Sequence, residues 1–247
     1  MRRFGLIGYP LGHSFSPDYF AKKFEREGLT DCVYEAFPLK TIHQLKPLLE
    51  EHKDLVGFNI TIPYKKSVLR FLEEGSEAVK QIVACNCIKI INGKLIGYNT
   101  DVTGFERSLT PLLKPHHTKA LVLGTGGSAA AVEYVLNRLN IDIQFVSRTK
   151  TKKNAITYAE LTKNILAEHP LVINTTPLGM YPAEDGCPPI PFEYVTSRHY
   201  LFDLIYNPEE TIFLKRGKEE GATVKNGADM LIIQADESWR IWNSDMY

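Results

Sequence analysis

The stretch "KALVLGTGGSAAAVEYVLNRLN", Lys119 to Asn140, narrows the fold more than any other part of this 247-residue chain. A short apolar run enters a glycine cluster, and an apolar helical pattern leaves it. The spacing is Gly124-x-Gly126-x-x-Ala129, with an additional Gly127. Each small residue has a steric reason. Gly124 permits a tight turn after a strand, Gly126 lets the backbone approach a pyrophosphate, and Ala129 lets the helix pack close to the sheet. The helix N-terminus then offers N–H groups to phosphates. Because "IDIQFVSRT" follows as a further strand, the turn lies in a strand–helix–strand unit, and a dinucleotide site is expected there.

The end of that next strand selects the cofactor. A site for NAD places Asp or Glu about 20 residues after the glycines, on the ribose hydroxyls. Here "VSRTKTKK" carries no acid between Ser147 and Lys153. A carboxylate would repel a 2′-phosphate, whereas Arg148 can grip one bidentately and stack on adenine. Lys152 and Lys153 add positive field. NADP(H) is therefore the expected cofactor.

Composition narrows the class further. With 44% hydrophobic and 23% charged residues the chain reads as globular. No apolar run reaches the roughly 18–20 residues of a membrane span, and the apolar stretch of "MRRFGLIGYP" is too short for a signal peptide. A formal net charge of zero argues against a nucleic-acid or anionic-lipid surface. Cys32, Cys85, Cys87 and Cys187 lack zinc-like spacing, and no metal site is expected. They read as reduced thiols of a cytoplasmic protein.

The first hundred residues alternate short β-like runs with helical patterns, which predicts an N-terminal α/β domain with a mainly parallel sheet. "RFGLIG", "CVYEAFP" and "LVGFNITI" read as strands. "SPDYFAKKFEREG", "TIHQLKPLLEEH" (with Pro47 awkwardly inside it) and "KKSVLRFLEE" read as helices. "NCIKIINGKLIGYN" reads as a hairpin about Asn92-Gly93. From 102 the chain opens a helix, ends it in a polar linker near 117, and enters the second α/β pattern, Rossmann-like, to 226. The apolar segment 227–247 predicts a long final helix. The expected division is 1–101, completed by 227–247, against 102–226.

Three polar clusters fall at strand ends of the first half. In "GYPLGHSFSP", Ser14 and Ser16 put two hydroxyls on one side of an extended loop, although Ser16 equally suits a helix N-cap with Pro17 behind it. His13 reads as loop packing. In "FNITIPYKKS", Asn59, Thr61 and Pro63 alternate on one side, and Lys65 follows the turn. In "GYNTDVTGF", Asp101 stands at the domain junction as the expected N-cap of the next helix. Hydroxyls, amides, one lysine and one aspartate suit a small polyhydroxylated substrate.

These stretches, together with "CNCI", "SRT", "INTTPLGM", "DLIYNP" and "NGADMLIIQA", resemble the shikimate dehydrogenase family in order along nearly the whole chain. The resemblance implies an N-terminal substrate domain, a Rossmann-like NADP domain, and a final helix that returns to the first. It implies reversible NADPH-dependent reduction of 3-dehydroshikimate to shikimate, a step of chorismate and aromatic amino-acid biosynthesis. By position, Ser14, Ser16, Asn59, Thr61, Asn86, Asp101 and Gln234 would hold the substrate, with Tyr206 nearby. Lys65 and Asp101 would form the catalytic pair. Gly124, Gly126, Gly127, Ser147, Arg148 and Thr149 would hold the cofactor, with Asn174, Thr175, Leu204 and Gly227 lining its nicotinamide side. A monomer or homodimer is expected, and Lys66 should be a solvated charge. Gln234 also stands out by itself, since it interrupts an apolar helical stripe.

The chain departs from the family pattern in places. Tyr19-Phe20 stand where the family has His-Asn, Cys87 replaces a threonine whose hydroxyl is expected near the substrate, Ser147 replaces an asparagine, and Ala228 a leucine. The nearest alternative is a dual-specificity quinate/shikimate dehydrogenase; the Ser14-x-Ser16 pair and Arg148 favour the shikimate and NADP form.

Overall fold

Two six-stranded sheets organise the chain, one in each of two units. The computed structural model describes residues 1–12, 15–150, 152 and 155–244. Ser14, His13 and Lys153 lie outside the described residues. The first unit comprises Met1–Thr103 and Gln234–Tyr247, the second Gly104–Ile233.

The first unit carries β1 (Arg2–Gly8), α1 (Phe15–Arg26), β2 (Cys32–Pro38), α2 (Leu45–Glu51), β3 (Leu55–Ile60), β4 (Glu74–Gly75), α3 (Glu77–Ile82), β5 (Cys87–Ile91) and β6 (Lys94–Tyr98). Its sheet order is β2-β1-β3-β5-β6-β4. β1 pairs parallel with β2 and β3, whereas β5 is antiparallel to both β3 and β6. The β5–β6 hairpin turns at Asn92 and Gly93, with φ of 51° and 77°. Both values lie in the left-handed region that a two-residue Asn-Gly hairpin requires.

Two local readings change. The chain from Lys65 to Glu74 forms a 3₁₀ segment, Ser67–Phe71, and enters β4 at Glu74, and the α-helix comes later as α3. The sheet edge competes for this stretch. Glu73 N–H donates to the Leu95 carbonyl at 3.0 Å, the Glu73 carboxylate accepts Leu95 N–H at 2.6 Å, and β4 pairs with β6. Pro47 fits where it stands because a 3₁₀ turn, Ile42–Gln44, precedes α2. That places the proline in the first turn of α2, where no N–H is needed.

α4 (Thr100–Leu109) and α8 (Ala228–Asn243) each contain a unit boundary. Within the first unit, α8 lays Trp239 and Trp242 on Phe4, with ring centroids 5.3 and 4.9 Å apart. Phe20 and Phe24 complete this cluster. Trp242 Nε1 donates to the Ile88 carbonyl at 2.9 Å, and its ring fills the space beside Gly57, where a Cβ would come within 2.4 Å.

The second unit holds β7 (Lys119–Leu123), α5 (Gly127–Arg138), β8 (Asp142–Ser147), β9 (Ala155–Thr157), α6 (Lys163–Glu168), β10 (Leu171–Asn174), β11 (Tyr200–Asp203), α7 (Ile212–Glu219) and β12 (Thr223–Lys225). All its pairings are parallel, in the order β12-β11-β10-β7-β8-β9. Renumbered from β7 this is the Rossmann order 3-2-1-4-5-6, which reverses direction between β7 and β10. The segment expected to be polar linker ends instead in His117, which is buried. His117 Nδ1 accepts the Lys114 N–H at 3.0 Å, and Nε2 lies 3.2 Å from the Arg198 carbonyl, to which it donates as the remaining N–H.

Candidate active site

In the first unit the residue singled out in "IPYKK" is held at both ends. Tyr64 is buried, and its hydroxyl donates to the Leu39 carbonyl at 2.6 Å. The Lys65 carbonyl accepts Cys85 N–H at 2.8 Å. Lys65 Nζ then reaches Asp101 Oδ2 at 2.7 Å. Lys66, one residue on, is exposed.

Asp101 is not the N-cap of α4. The helix begins at Thr100, so the carboxylate sits inside the first turn, where the positive end of the helix dipole favours it. The cap is supplied from a distance: Asn86 Oδ1 accepts Thr100 N–H at 2.7 Å. The Asn86 amide nitrogen lies 2.9 Å from Asp101 Oδ1, 3.1 Å from Thr100 Oγ1 and 3.4 Å from Gln234 Oε1. Asn86 thus ties the start of β5, the start of α4 and α8 together around the Lys65–Asp101 pair.

Asn59, the penultimate residue of β3, joins the same cluster: its amide donates to the Asn86 carbonyl at 3.2 Å and to Ser238 Oγ at 2.9 Å. Thr61 lies beyond the strand end, and its N–H donates to the Ile7 carbonyl at 2.9 Å. Ser16 lies within the first turn of α1 rather than at its N-cap, beside the Tyr34 hydroxyl. The structure therefore brings Ser16, Asn59, Lys65, Asn86, Asp101 and Gln234 into one connected region of the first unit. Tyr206 belongs to the second unit and is 40% exposed.

The departures noted in the sequence acquire physical content. Cys87 is fully buried in the aromatic cluster, so the threonine-to-cysteine change affects packing and removes no hydroxyl from an open site. Tyr19 donates to Asp236 Oδ1 at 2.7 Å, and Lys23 joins the same carboxylate at 2.9 Å. Phe20 stacks on Tyr34 at 4.5 Å.

In the second unit a pocket of about 620 Å³ opens at the carboxyl ends of β7, β8 and β10, where an open α/β sheet places its ligand. Among its lining residues are Gly124, Gly126, Ser147, Arg148, Thr149 and Thr175. Gly124 has a φ of +100°, and a Cβ there would meet Thr175 Oγ1 and Thr176 Cγ2 at 2.9 Å, so only glycine fits. Gly126 and Gly127 have no atom within 4 Å of a Cβ position. Gly126 brings no side-chain acceptor to the start of α5, which leaves that helix end open to an anion. Ala129 is buried against the sheet as the fingerprint requires.

The cations after β8 divide. Lys150 pairs with Glu160 at 2.6 Å, and Lys152 pairs with Glu133 while lying 3.8 Å from the Phe145 ring centre. Arg148 is exposed and lines the pocket beside Tyr158, whose hydroxyl burial pushes up to about 12. The Ser147 hydroxyl donates to the Thr149 carbonyl and so shapes this turn.

Asn174, expected against the nicotinamide, has no exposed surface. Its oxygen accepts from Thr176 N–H at 3.0 Å and the Thr176 hydroxyl at 2.7 Å, and its nitrogen donates to Asp203 Oδ1 at 3.0 Å. Asn174 thus braces the turn whose residues Thr175 and Thr176 line the pocket. Gly227 packs its backbone against Leu204: its N–H donates to the Ile205 carbonyl at 2.9 Å, and a Cβ there would clash with the Leu204 carbonyl oxygen.

The sequence reading missed Tyr34, Thr100, Tyr158, Asp203 and Ser238. Ser238 had a visible signal, since it follows Gln234 by one helical turn on an otherwise apolar face. Asp203 sat in the quoted "DLIYNP" without being singled out. It is completely buried, accepts from Asn174, Ile205 N–H and the Thr211 hydroxyl, and burial raises it to about 6.

A Rossmann sheet with a phosphate-ready glycine turn, accompanied by a lysine–carboxylate pair in a second α/β unit, defines a dinucleotide-dependent oxidoreductase. Residues 6–88 match the model of the shikimate dehydrogenase substrate binding domain. A shikimate dehydrogenase (NADP(+)) of Methanococcus aeolicus is 38% identical over 254 residues, covering 96% of this chain and 90% of the relative. A solved chorismate mutase/shikimate 5-dehydrogenase fusion protein from Clostridium acetobutylicum superposes with a TM-score of 0.87 at 37% identity, covering 98% and 91% of the two chains. The shikimate 5-dehydrogenase of Thermus thermophilus, solved with NADP(H) and shikimate, gives 0.85 at 30% identity over 98% and 94%. The chain belongs to the shikimate dehydrogenase family.

Proposed function

We propose that this protein is an NADP-dependent shikimate dehydrogenase, reducing 3-dehydroshikimate reversibly to shikimate in aromatic amino-acid biosynthesis. The observation that carries the chemistry is the 2.7 Å contact between Lys65 Nζ and Asp101 Oδ2, with Asn86 fixing the other carboxylate oxygen. During reduction negative charge grows on the substrate's carbonyl oxygen. The Lys65 ammonium stabilises that charge and delivers the proton. Asp101 aims Lys65 and accepts from a neighbouring substrate hydroxyl. Ser14, Ser16, Asn59, Thr61, Asn86, Gln234 and Tyr206 recognise the remaining hydroxyls and the carboxylate.

The glycine turn fits the pyrophosphate of NADP(H) and Arg148 fits its 2′-phosphate, with Gly127, Ser147, Thr149, Thr175, Leu204 and Gly227 contributing to the same site. When bound, the cofactor supplies the hydride. The four cysteines are free thiols, which suits a reducing cytoplasm. No helix among the described residues is long and apolar enough to cross a membrane.

The test is an activity assay crossing shikimate and quinate with NADP and NAD. Shikimate with NADP should give the highest kcat/KM. Comparable turnover of quinate would establish the dual-specificity form, and absence of turnover with every pair would refute the assignment.

A further inference from the structure

The Asn59 amide is held on every side but one. Its nitrogen donates to Ser238 Oγ at 2.9 Å and to the Asn86 carbonyl at 3.2 Å, and its oxygen accepts the Tyr34 hydroxyl at 2.9 Å. Both amide protons and one oxygen lone pair are thereby used. Reversing the amide would set its oxygen against the Asn86 carbonyl, so the orientation is fixed. Asn59 remains partly exposed, and what it has left to offer is the second lone pair of Oδ1.

Both hydroxyls that hold it are themselves held: Ser238 by a further bond, and Tyr34 by packing, with Ser16 as its second polar neighbour. Ser238 has no exposed surface and donates its own proton to the Gln234 carbonyl at 2.9 Å, so it meets Asn59 as an acceptor. Its oxygen also lies 3.4 Å from Thr100 Oγ1. Tyr34 is buried with its ring stacked on Phe20, 4.5 Å between centroids and 15° between planes, so packing aims its hydroxyl. A partly buried amide that lost one of these partners would have a weaker hold on one orientation.

We propose that Tyr34 and Ser238 are positioning residues for the reduction: together they lock the Asn59 amide so that its oxygen accepts a hydrogen bond from a substrate hydroxyl. This rests on the shikimate dehydrogenase reading and assigns work to two residues outside the set that the resemblance supplied. Ser238 also couples Asn59 to the helix turn that carries Gln234, so one buried hydroxyl registers two substrate-facing side chains.

The experiment is steady-state kinetics on Tyr34→Phe and Ser238→Ala, each alone and combined with Asn59→Ala, using shikimate and NADP. Each single variant should raise the shikimate KM about 3- to 10-fold, the effect of one hydrogen bond, with kcat and the NADP KM unchanged. In the Asn59→Ala background either change should add nothing, because the group it positions is gone. Tyr34→Phe keeps the stacked ring and therefore the fold, even if Ser238→Ala lowers the melting temperature. A wild-type shikimate KM in both single variants, or the same increment with and without Asn59, would overturn the proposal. A wild-type protein that does not oxidise shikimate would instead overturn the functional reading, so the two failures are distinct.

Discussion

The Lys65 ammonium lies 2.7 Å from the Asp101 carboxylate, whereas Lys66, the next residue, is exposed and merely precedes a short 3₁₀ segment. The two lysines should therefore separate in function. Lys65→Met should cut kcat roughly 10²- to 10⁴-fold with little change in KM, the signature of a lost proton donor. Lys66→Ala should remain close to wild type. A Lys65→Met enzyme with near-normal kcat would remove Lys65 from the mechanism.

Arg148 lines the second-unit pocket while Lys150 and Lys152 are engaged by glutamates. Its loss should be felt mainly by the phosphorylated cofactor. Arg148→Ala should raise the NADP KM about 10- to 100-fold, the scale of charge-assisted hydrogen bonds, and raise the NAD KM far less, by the lost adenine stacking alone. Equal changes for both cofactors would mean that Arg148 does not read the 2′-phosphate.

Gly124 and Gly126 should respond to alanine in opposite ways. At Gly124 the added methyl meets Thr175 and Thr176 in a backbone of positive φ, so Gly124→Ala should lose about 1–3 kcal/mol of stability. At Gly126 nothing lies within 4 Å and φ is −76°. Gly126→Ala should keep its stability within about 0.5 kcal/mol and still bind NADP more weakly. Denaturant melts without cofactor, paired with NADP titrations, check both statements.

Acid should act on the second unit through groups of opposite sign. Burial lowers His117 and His199 below their ordinary 6.5. His199 Nδ1 accepts Thr196 N–H at 3.0 Å, and Nε2 lies 3.0 Å from the Leu166 carbonyl. Neutral rings stabilise the fold fully above pH 6.5, and that contribution is lost as pH falls through their depressed values. Asp203, raised from 3.8 to about 6 by burial, behaves inversely: the folded protein takes up its proton first and gains stability from about pH 6 down to about 4. Urea melts between pH 8 and 4.5 should show the wild-type advantage over His199→Gln shrinking with acid. The difference from Asp203→Asn should move in favour of wild type by about 2 kcal/mol over that range. Flat differences in both comparisons would contradict these environments.

Much of the chemistry was legible because it is written in local sequence. Gly124, Gly126 and Ala129 declare a strand–turn–helix by their sterics alone, and Asn92-Gly93 declares its hairpin. Lys65 and Asp101 lie 36 positions apart, and nothing between them encodes a 2.7 Å contact; family resemblance supplied that pairing. What stayed hidden depends on distant partners. The 65–74 segment has helical composition, yet the β6 edge takes its backbone. That Asn174 in "INTTP" also braces its own turn emerges only when Thr176 and the distant Asp203 are seen bonded to its amide. Tyr34 reads as an ordinary strand residue, because its hydroxyl matters only once β3 and α8 are packed beside it.

The first unit is assembled from two pieces of chain, with Gly104–Ile233 between them. Trp242, which fills the space beside Gly57 and bonds to the Ile88 carbonyl, comes from the second piece. A ribosome releasing this chain from its N-terminus delivers every residue of the cofactor-type unit before the segment that closes the catalytic one. Until then Phe4, Phe20 and Phe24 have no tryptophan cover, and Asn86 lacks its Gln234 neighbour. The order of synthesis thus leaves the substrate side unfinished until last, and a nascent chain cannot assemble the Asn59–Ser238–Gln234 network before its final helix arrives.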